Sequence, residues 1–131
     1  MPELPEVETM RRGILEVLGA QITKAERTPC AKKPISITPR IDFLNRRVSG
    51  RKIASVDRLG KRVVLRLDSN DRLIFEPRMT GLVLLADPPT KEHLRFRLRL
   101  AKCSVKALLF WDRRGLGNVH LLSKKQYQQK L

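Results

Sequence analysis

The chain opens Met-Pro-Glu-Leu-Pro-Glu-Val-Glu-Thr, and three of these residues could do covalent and acid–base chemistry together. Once Met1 is removed, Pro2 is a secondary amine with the pKa of an α-amino group, about 8, which neighbours can lower. Such an amine attacks an electrophilic carbon and forms an iminium, the logic of Schiff-base lysines. With Met1 retained, the same nitrogen is an amide, neither basic nor nucleophilic. A lone proline here would only start a helix. Glu3 stands beside it as a candidate acid, since a carboxyl in a desolvated pocket holds its proton nearer to neutral pH. Glu6 falls one helical turn on, on the same side. It either fixes Glu3 or a water, or complements the helix dipole as acidic residues in a first turn do. The sequence leaves both roles open. Lys61 follows Gly60 in a candidate tight turn and, taken alone, reads as a solvated charge.

These groups need elements to hold them. Leu4, Val7, Met10, Ile14 and Val17 recur at spacings of three and four, which predicts an amphipathic helix. Pro2 and Pro5 suit its start and Gly19 its stop. Beyond it the pattern turns to strands. Residues 21–27 alternate weakly, and residues 28–40, rich in Pro, Lys and Thr, predict a long loop. Two strands are expected over 48–56 and 61–67, joined by Asp57-Arg58-Leu59-Gly60, with the glycine supplying a positive φ. A turn at Asp68-Ser69-Asn70-Asp71 precedes strands at 73–75 and 82–85. Over 93–100, Leu94, Phe96, Leu98 and Leu100 alternate with Arg95, Arg97 and Arg99. Those arginines form either a phosphate-facing stripe or the solvated face of an edge strand, and the solvated face is favoured. A strand at 104–111, a loop at 112–117 and a strand at 118–122 follow. Ser123 is a good N-cap for a final Lys- and Gln-rich helix. The expected class is α+β, mainly β: a two-layer β-sandwich of about eight strands flanked by an N-terminal and a C-terminal helix, forming one domain over 1–131.

Lys and Arg number 28 against 13 Asp and Glu, a formal net charge of +15. So large an excess predicts a polyanionic partner, most simply nucleic acid. The longest apolar runs, 82–86 and 107–111, are too short to span a bilayer, so no membrane partner is expected. The acidic, Pro-containing start is the reverse of an export signal, which leaves the cytoplasm, in association with the nucleoid, as the expected location. Cys30 and Cys103 stand apart with no second pair, which is not a zinc pattern.

The opening nine residues are similar to the start of the formamidopyrimidine-DNA glycosylase and endonuclease VIII family, and Leu4 between the two Pro-Glu pairs resembles the formamidopyrimidine branch. Arg-Leu-Gly-Lys at 58–61, Met-Thr-Gly at 79–81 and Asp-Arg-Arg-Gly-Leu-Gly at 112–117 follow in the family's order. The resemblance covers the whole chain and about the first half of a family enzyme. It implies a bifunctional glycosylase and AP lyase that removes oxidised bases from double-stranded DNA. Pro2 would attack the sugar C1′, and the resulting iminium would acidify the adjacent sugar C–H bond, so that elimination cuts the strand. Glu3 would protonate the opening sugar ring, and Lys61 would reach a phosphate and the damaged nucleotide. Because the base must leave the duplex, Met79 would intercalate and Arg114 would pair with the orphaned base.

The family loop usually reads Asp-Pro-Arg-Arg-Phe-Gly; this chain has Arg113 for Pro, Gly115 for the second Arg and Leu116 for Phe. The added glycine is expected to loosen the loop, Arg113 could take the role given to Arg114, and the lesion (oxidised purine or oxidised pyrimidine) stays open. His93 matches the second of two family histidines, while Lys91 replaces the first and could still bind phosphate. Family enzymes continue into a helix–two-turn–helix region and usually a structural zinc finger. Neither is in this chain, for which no metal and no small-molecule cofactor are expected. A non-catalytic, β-rich nucleic-acid-binding module is the competing reading.

Overall fold

The computed structural model describes residues 3–130. The first helix, α1, spans Leu4–Gly13 with a proline in its first turn, and a short 3₁₀ turn over Leu15–Val17 continues it. Val7, Ile14 and Val17 of the predicted stripe are buried, whereas Leu4 remains 45% exposed. Among the described residues, nine strands follow in two sheets. The four-stranded sheet has the order β1 (Gln21–Arg27), β7 (Leu94–Ala101), β8 (Ala107–Asp112), β6 (Gly81–Leu84). The five-stranded sheet has the order β2 (Ser36–Thr38), β9 (Asn118–Leu122), β5 (Arg72–Glu76), β4 (Arg62–Leu67), β3 (Ile53–Leu59).

Between the sheets one core forms. Phe75 of β5 meets Phe96 of β7 edge-on at 5.8 Å and Phe110 of β8 at 5.9 Å, so three fully buried rings bridge the two layers. Such burial is the main favourable term in folding, about 1.5–3 kcal/mol per large apolar side chain. The five-stranded sheet also buries Val64, Ile74 and Leu122 on its outer face, against Tyr127 of α3 (Lys124–Lys130). Cover on both faces explains the unbroken apolar runs Val63-Val64-Leu65 and Leu73-Ile74-Phe75. Ser123 caps α3 as expected: its hydroxyl accepts from the Gln126 N–H at 3.2 Å, and the Gln126 side chain accepts from the Ser123 N–H at 2.9 Å.

Four expectations need correction. The loop expected over 28–40 contains β2, which pairs in parallel with β9. The strand expected from Val48 begins only at Ile53; before it lies a second helix, α2 (Ile41–Val48), which the reading missed. Its two buried residues, Leu44 and Val48, sit one turn apart, too sparse a pattern to outweigh the β-branched residues after it. The hairpin turn is not 57–60: β3 runs to Leu59, which pairs with Arg62, leaving Gly60 (φ +59°) and Lys61 as a two-residue turn. Finally, β7 is no edge strand. It lies between β1 and β8, and Arg95 is only 3% exposed.

Candidate active site and nucleic-acid interface

Pro2 lies outside the described residues. Its neighbour Glu3 is the N-cap of α1 but makes no side-chain capping bond, so its carboxylate points elsewhere. It lies 3.6 Å from the Lys61 ammonium at the tip of the β3–β4 turn. The two ends of this pair come from opposite ends of the sequence motifs, and a charge hub brings them together. Glu8 accepts from Arg11 (2.6 and 2.9 Å) and from Arg12 (2.9 Å) on its own helix, and from Arg58 of β3 (3.3 Å). Arg58 also donates to the Gly60 carbonyl at 3.1 Å, and Arg11 to the Val56 carbonyl at 3.3 Å. Helix and turn are thereby held in register, with Lys61 facing the chain start. The Arg11 hydrogen bond, working against partial desolvation and aided by Arg12, holds the Glu8 carboxyl at about 2, below its ordinary 4.5.

Glu3 and Lys61 are 63% and 43% exposed at their side chains, so this chain does not by itself supply a desolvated pocket for the acid. Glu6 is exposed and lines an open groove of about 860 Å³ with Met10 of α1, Met79, Leu82, Trp111 and Arg113.

The second group of motif residues sits on two adjoining loops. Met79 is 41% exposed on the turn before β6, where the Gly81 N–H donates to the Pro77 carbonyl at 2.9 Å. A Cβ at Gly81 would lie 2.6 Å from the Pro77 backbone, so the tight turn requires glycine. Asp112, fully buried, clasps this turn to the 112–117 loop. Its carboxylate accepts from the Thr80 hydroxyl at 2.6 Å and from the Gly117 N–H at 2.7 Å, while the Arg114 N–H donates to the same Thr80 hydroxyl at 3.0 Å. Arg113 and Arg114 are exposed, and Leu116 is 44% exposed, so an apolar side chain stands at each loop. Gly115 adopts φ +69° over the Arg95 guanidinium, and a Cβ there would lie 3.1 Å from Arg95 Nη2.

Lys91 is exposed, but His93 is not. Its side chain is 13% exposed, stands edge-on to Trp111 at 5.8 Å and has Nε2 3.4 Å from a Glu92 carboxylate oxygen. Its Nδ1 is buried without a hydrogen-bond partner. His93 is thus part of the wall behind the groove. The structure brings Glu3 to Lys61, and Met79 to the Arg114 loop. Sequence reasoning missed Glu8, Arg58, Arg95 and Asp112. Glu8 had a readable signal in its spacing of three and four to Arg11 and Arg12, and Arg58 and Asp112 stood in the quoted motifs without a role assigned to them.

Among the described residues no group of three or more His, Cys, Asp or Glu is placed to hold a metal ion, and no helix is long and apolar enough to cross a membrane. Cys30 and Cys103 are free thiols, each donating to a main-chain carbonyl.

Comparison with known proteins places this arrangement. A formamidopyrimidine-DNA glycosylase of Chloroflexus aurantiacus is 38% identical over an alignment of 128 positions that covers 95% of this chain and 44% of that protein. A Lactococcus lactis Fpg (MutM), solved in complex with DNA containing FAPY-dG, superposes with a TM-score of 0.81 at 30% identity, over 97% of this chain and 46% of that one. A MutM solved in complex with DNA containing carbocyclic 8-oxo-G gives a TM-score of 0.82 at 31% identity, over 98% and 46%. The chain therefore spans about half the length of the relatives it matches. The family of formamidopyrimidine-DNA glycosylase N-terminal domains matches residues 1–119, and the two-sheet fold superposes on its solved relatives, so the chain belongs to that family.

Proposed function

We propose that this chain is the N-terminal catalytic domain, over residues 1–131, of a base-excision DNA-repair enzyme, a bifunctional glycosylase and AP lyase acting on oxidised bases in double-stranded DNA. The observation that carries the reading is the approach of Lys61 to Glu3, residues of two separate family motifs, at the position next to Pro2. With Met1 removed, the Pro2 nitrogen attacks the sugar C1′ and the bond to the base breaks. Glu3 delivers a proton to the opening ring, and Lys61 holds the nucleotide or its phosphate. Glu6, at the groove's edge, orders Glu3 or a water. Met79 enters the stack, Arg114 or its neighbour Arg113 meets the orphaned base, and Lys91 binds the backbone. His93 reaches DNA only through the groove wall it supports. The amine supplies the covalent chemistry, so no metal or small-molecule cofactor is needed in this chain. The expected location is the cytoplasm, with the nucleoid.

Borohydride trapping on DNA with an abasic site tests the reading in the full-length protein. Pro2→Gly is expected to reduce trapping and strand scission severely while duplex affinity changes only a few-fold; a primary glycine amine leaves a residue of activity. Glu3→Gln is expected to impair base excision more than lyase action. Undiminished activity in a protein shown by intact mass to retain Met1 would overturn the mechanism. A non-catalytic nucleic-acid-binding module would then be the better account.

A further inference from the structure

Arg95 is the residue whose surroundings the proposed chemistry does not use. It sits in a strand of alternating Leu/Phe and Arg, where simple alternation would send it outward with Arg97 and Arg99. Those two do turn outward and pair with Glu26, at 2.8 and 2.6 Å. Arg95 does not. In the β7–β8 ladder Leu94 pairs with Trp111 and Phe96 with Phe110, so Arg95 is the extra residue of a β-bulge. Bulges re-aim a side chain, and they concentrate beside functional sites. Here the guanidinium is aimed beneath the 112–117 loop. Nε donates to the Asp112 carbonyl at 2.8 Å, Nη2 to the Arg113 carbonyl at 3.3 Å and Nη1 to the Lys33 carbonyl at 2.6 Å.

A guanidinium only 3% exposed and bonded to main-chain carbonyls is an expensive way to fill space, because a desolvated charge costs far more than an apolar side chain of its size. What its rigid fork does supply is geometry: three acceptors from two loops at fixed angles. Gly115 completes the seat. Its positive φ brings the backbone onto the guanidinium, where any side chain would press on Arg95 and on the Lys33 carbonyl, 3.2 Å from a Cβ.

We propose that Arg95 is a positioning residue that, seated under Gly115, fixes the backbone of Arg113 and so aims Arg114 at the orphaned base. The proposal rests on the reading of Arg114 given above and adds the device that directs it.

The test uses a duplex with a tetrahydrofuran abasic analogue opposite a fluorescent cytosine analogue, pyrrolo-cytosine, whose emission reports a side chain meeting the orphaned base. The natural protein is expected to change the emission, and Arg114→Ala to abolish the change. Arg95→Met is expected to reduce the change about tenfold, since small misplacements of a positioned group are costly. Duplex Kd should stay within about threefold, because phosphate contacts dominate affinity. Arg95→Lys, which keeps the charge and loses the fork, should restore only part of it. The single Trp111 reports folding of each variant, and Gly115→Ala, which disturbs the seat without removing a buried charge, decides the matter if Arg95→Met fails to fold. A natural protein that gives no emission change overturns the orphaned-base reading and this proposal with it. A natural protein that gives one, with folded Arg95→Met or Gly115→Ala matching it, overturns the positioning role alone.

Discussion

Glu8 touches no reacting atom in the proposed chemistry, yet it decides where two reacting groups stand. Its carboxylate ties α1 to Arg58, and Arg58 ties the turn that carries Lys61. Because the folded protein holds Glu8 at about 2 rather than 4.5, its contribution to stability is complete above pH 4.5. It is lost as pH falls from there through about 2. Glu8→Gln should therefore lower the melting temperature at neutral pH and converge on the natural protein as the solution is acidified through that window. Melting curves across the range check this, and a gap unchanged at the acid end would mean that Glu8 acts through packing instead. The side chain is about a quarter exposed, so salt should narrow the gap as well. If the proposed function holds, the same substitution should weaken base excision by the full-length protein, because Lys61 loses the tether that faces it to Glu3.

At the scale of elements, the two loops that bear Met79 and Arg114 work as one unit. The Asp112 carboxylate is their joint, accepting from Thr80 on one loop and Gly117 on the other. The Gly117 N–H is buried, and the Asp112 carboxylate is its acceptor. Asp112→Ala should destabilise the domain by about 1–3 kcal/mol, the usual cost of leaving a buried donor unsatisfied. Asp112→Asn, which retains one acceptor oxygen, should cost less. Urea unfolding gives both numbers, and hydrogen exchange at the Gly117 amide should accelerate in step. Unchanged stability in the alanine variant would show that the loops are held by their own backbone bonds alone. The clasp also explains the glycine at 117, where a Cβ would fall 2.7 Å from the Glu76 carbonyl and 2.9 Å from the Asp112 carboxylate.

For the whole molecule, the 28 basic residues behind the formal charge of +15 are not equally available to a polyanion. Arg11, Arg12 and Arg58 converge on Glu8, Arg97 and Arg99 on Glu26, Arg62 on Glu76 and Arg47 on Asp71. Arg95 is buried. The residues that the proposed function assigns to DNA contact are Lys61, Lys91, Arg113 and Arg114, of which three or so are expected to meet phosphates. Counterion release then gives a slope of about −3 for log K against log salt. The 131-residue chain should accordingly bind duplex DNA weakly, with that slope and with little preference between damaged and intact sites. Titrations at several salt concentrations check it. A slope near zero, or tight lesion-selective binding by this chain alone, would contradict the assignment of these residues to the DNA face.

Much of this was legible before any coordinates. The chain-start motif named Pro2, Glu3 and Glu6, and spacings of three, four and two marked α1, β7 and most of the hairpins, because local periodicity records which side of an element faces a core. The charge excess pointed to a nucleic acid for the same reason, being a sum over residues that needs no geometry. Other features depended on contacts between distant segments. The α2 helix is short and gains its place from packing Leu44 and Val48 into the core. The inward turn of Arg95 depends on a bulge that exists only in the pairing of β7 with β8. The approach of Lys61 to Glu3 and the Asp112 clasp join residues with no shared local pattern. The sequence by itself therefore determined most of the elements, the charge and the types of reactive group. Only the tertiary structure decided which arginines stand exposed and which are paired or buried, because partners distant in sequence, not a residue's own neighbours, set the burial and direction of a side chain.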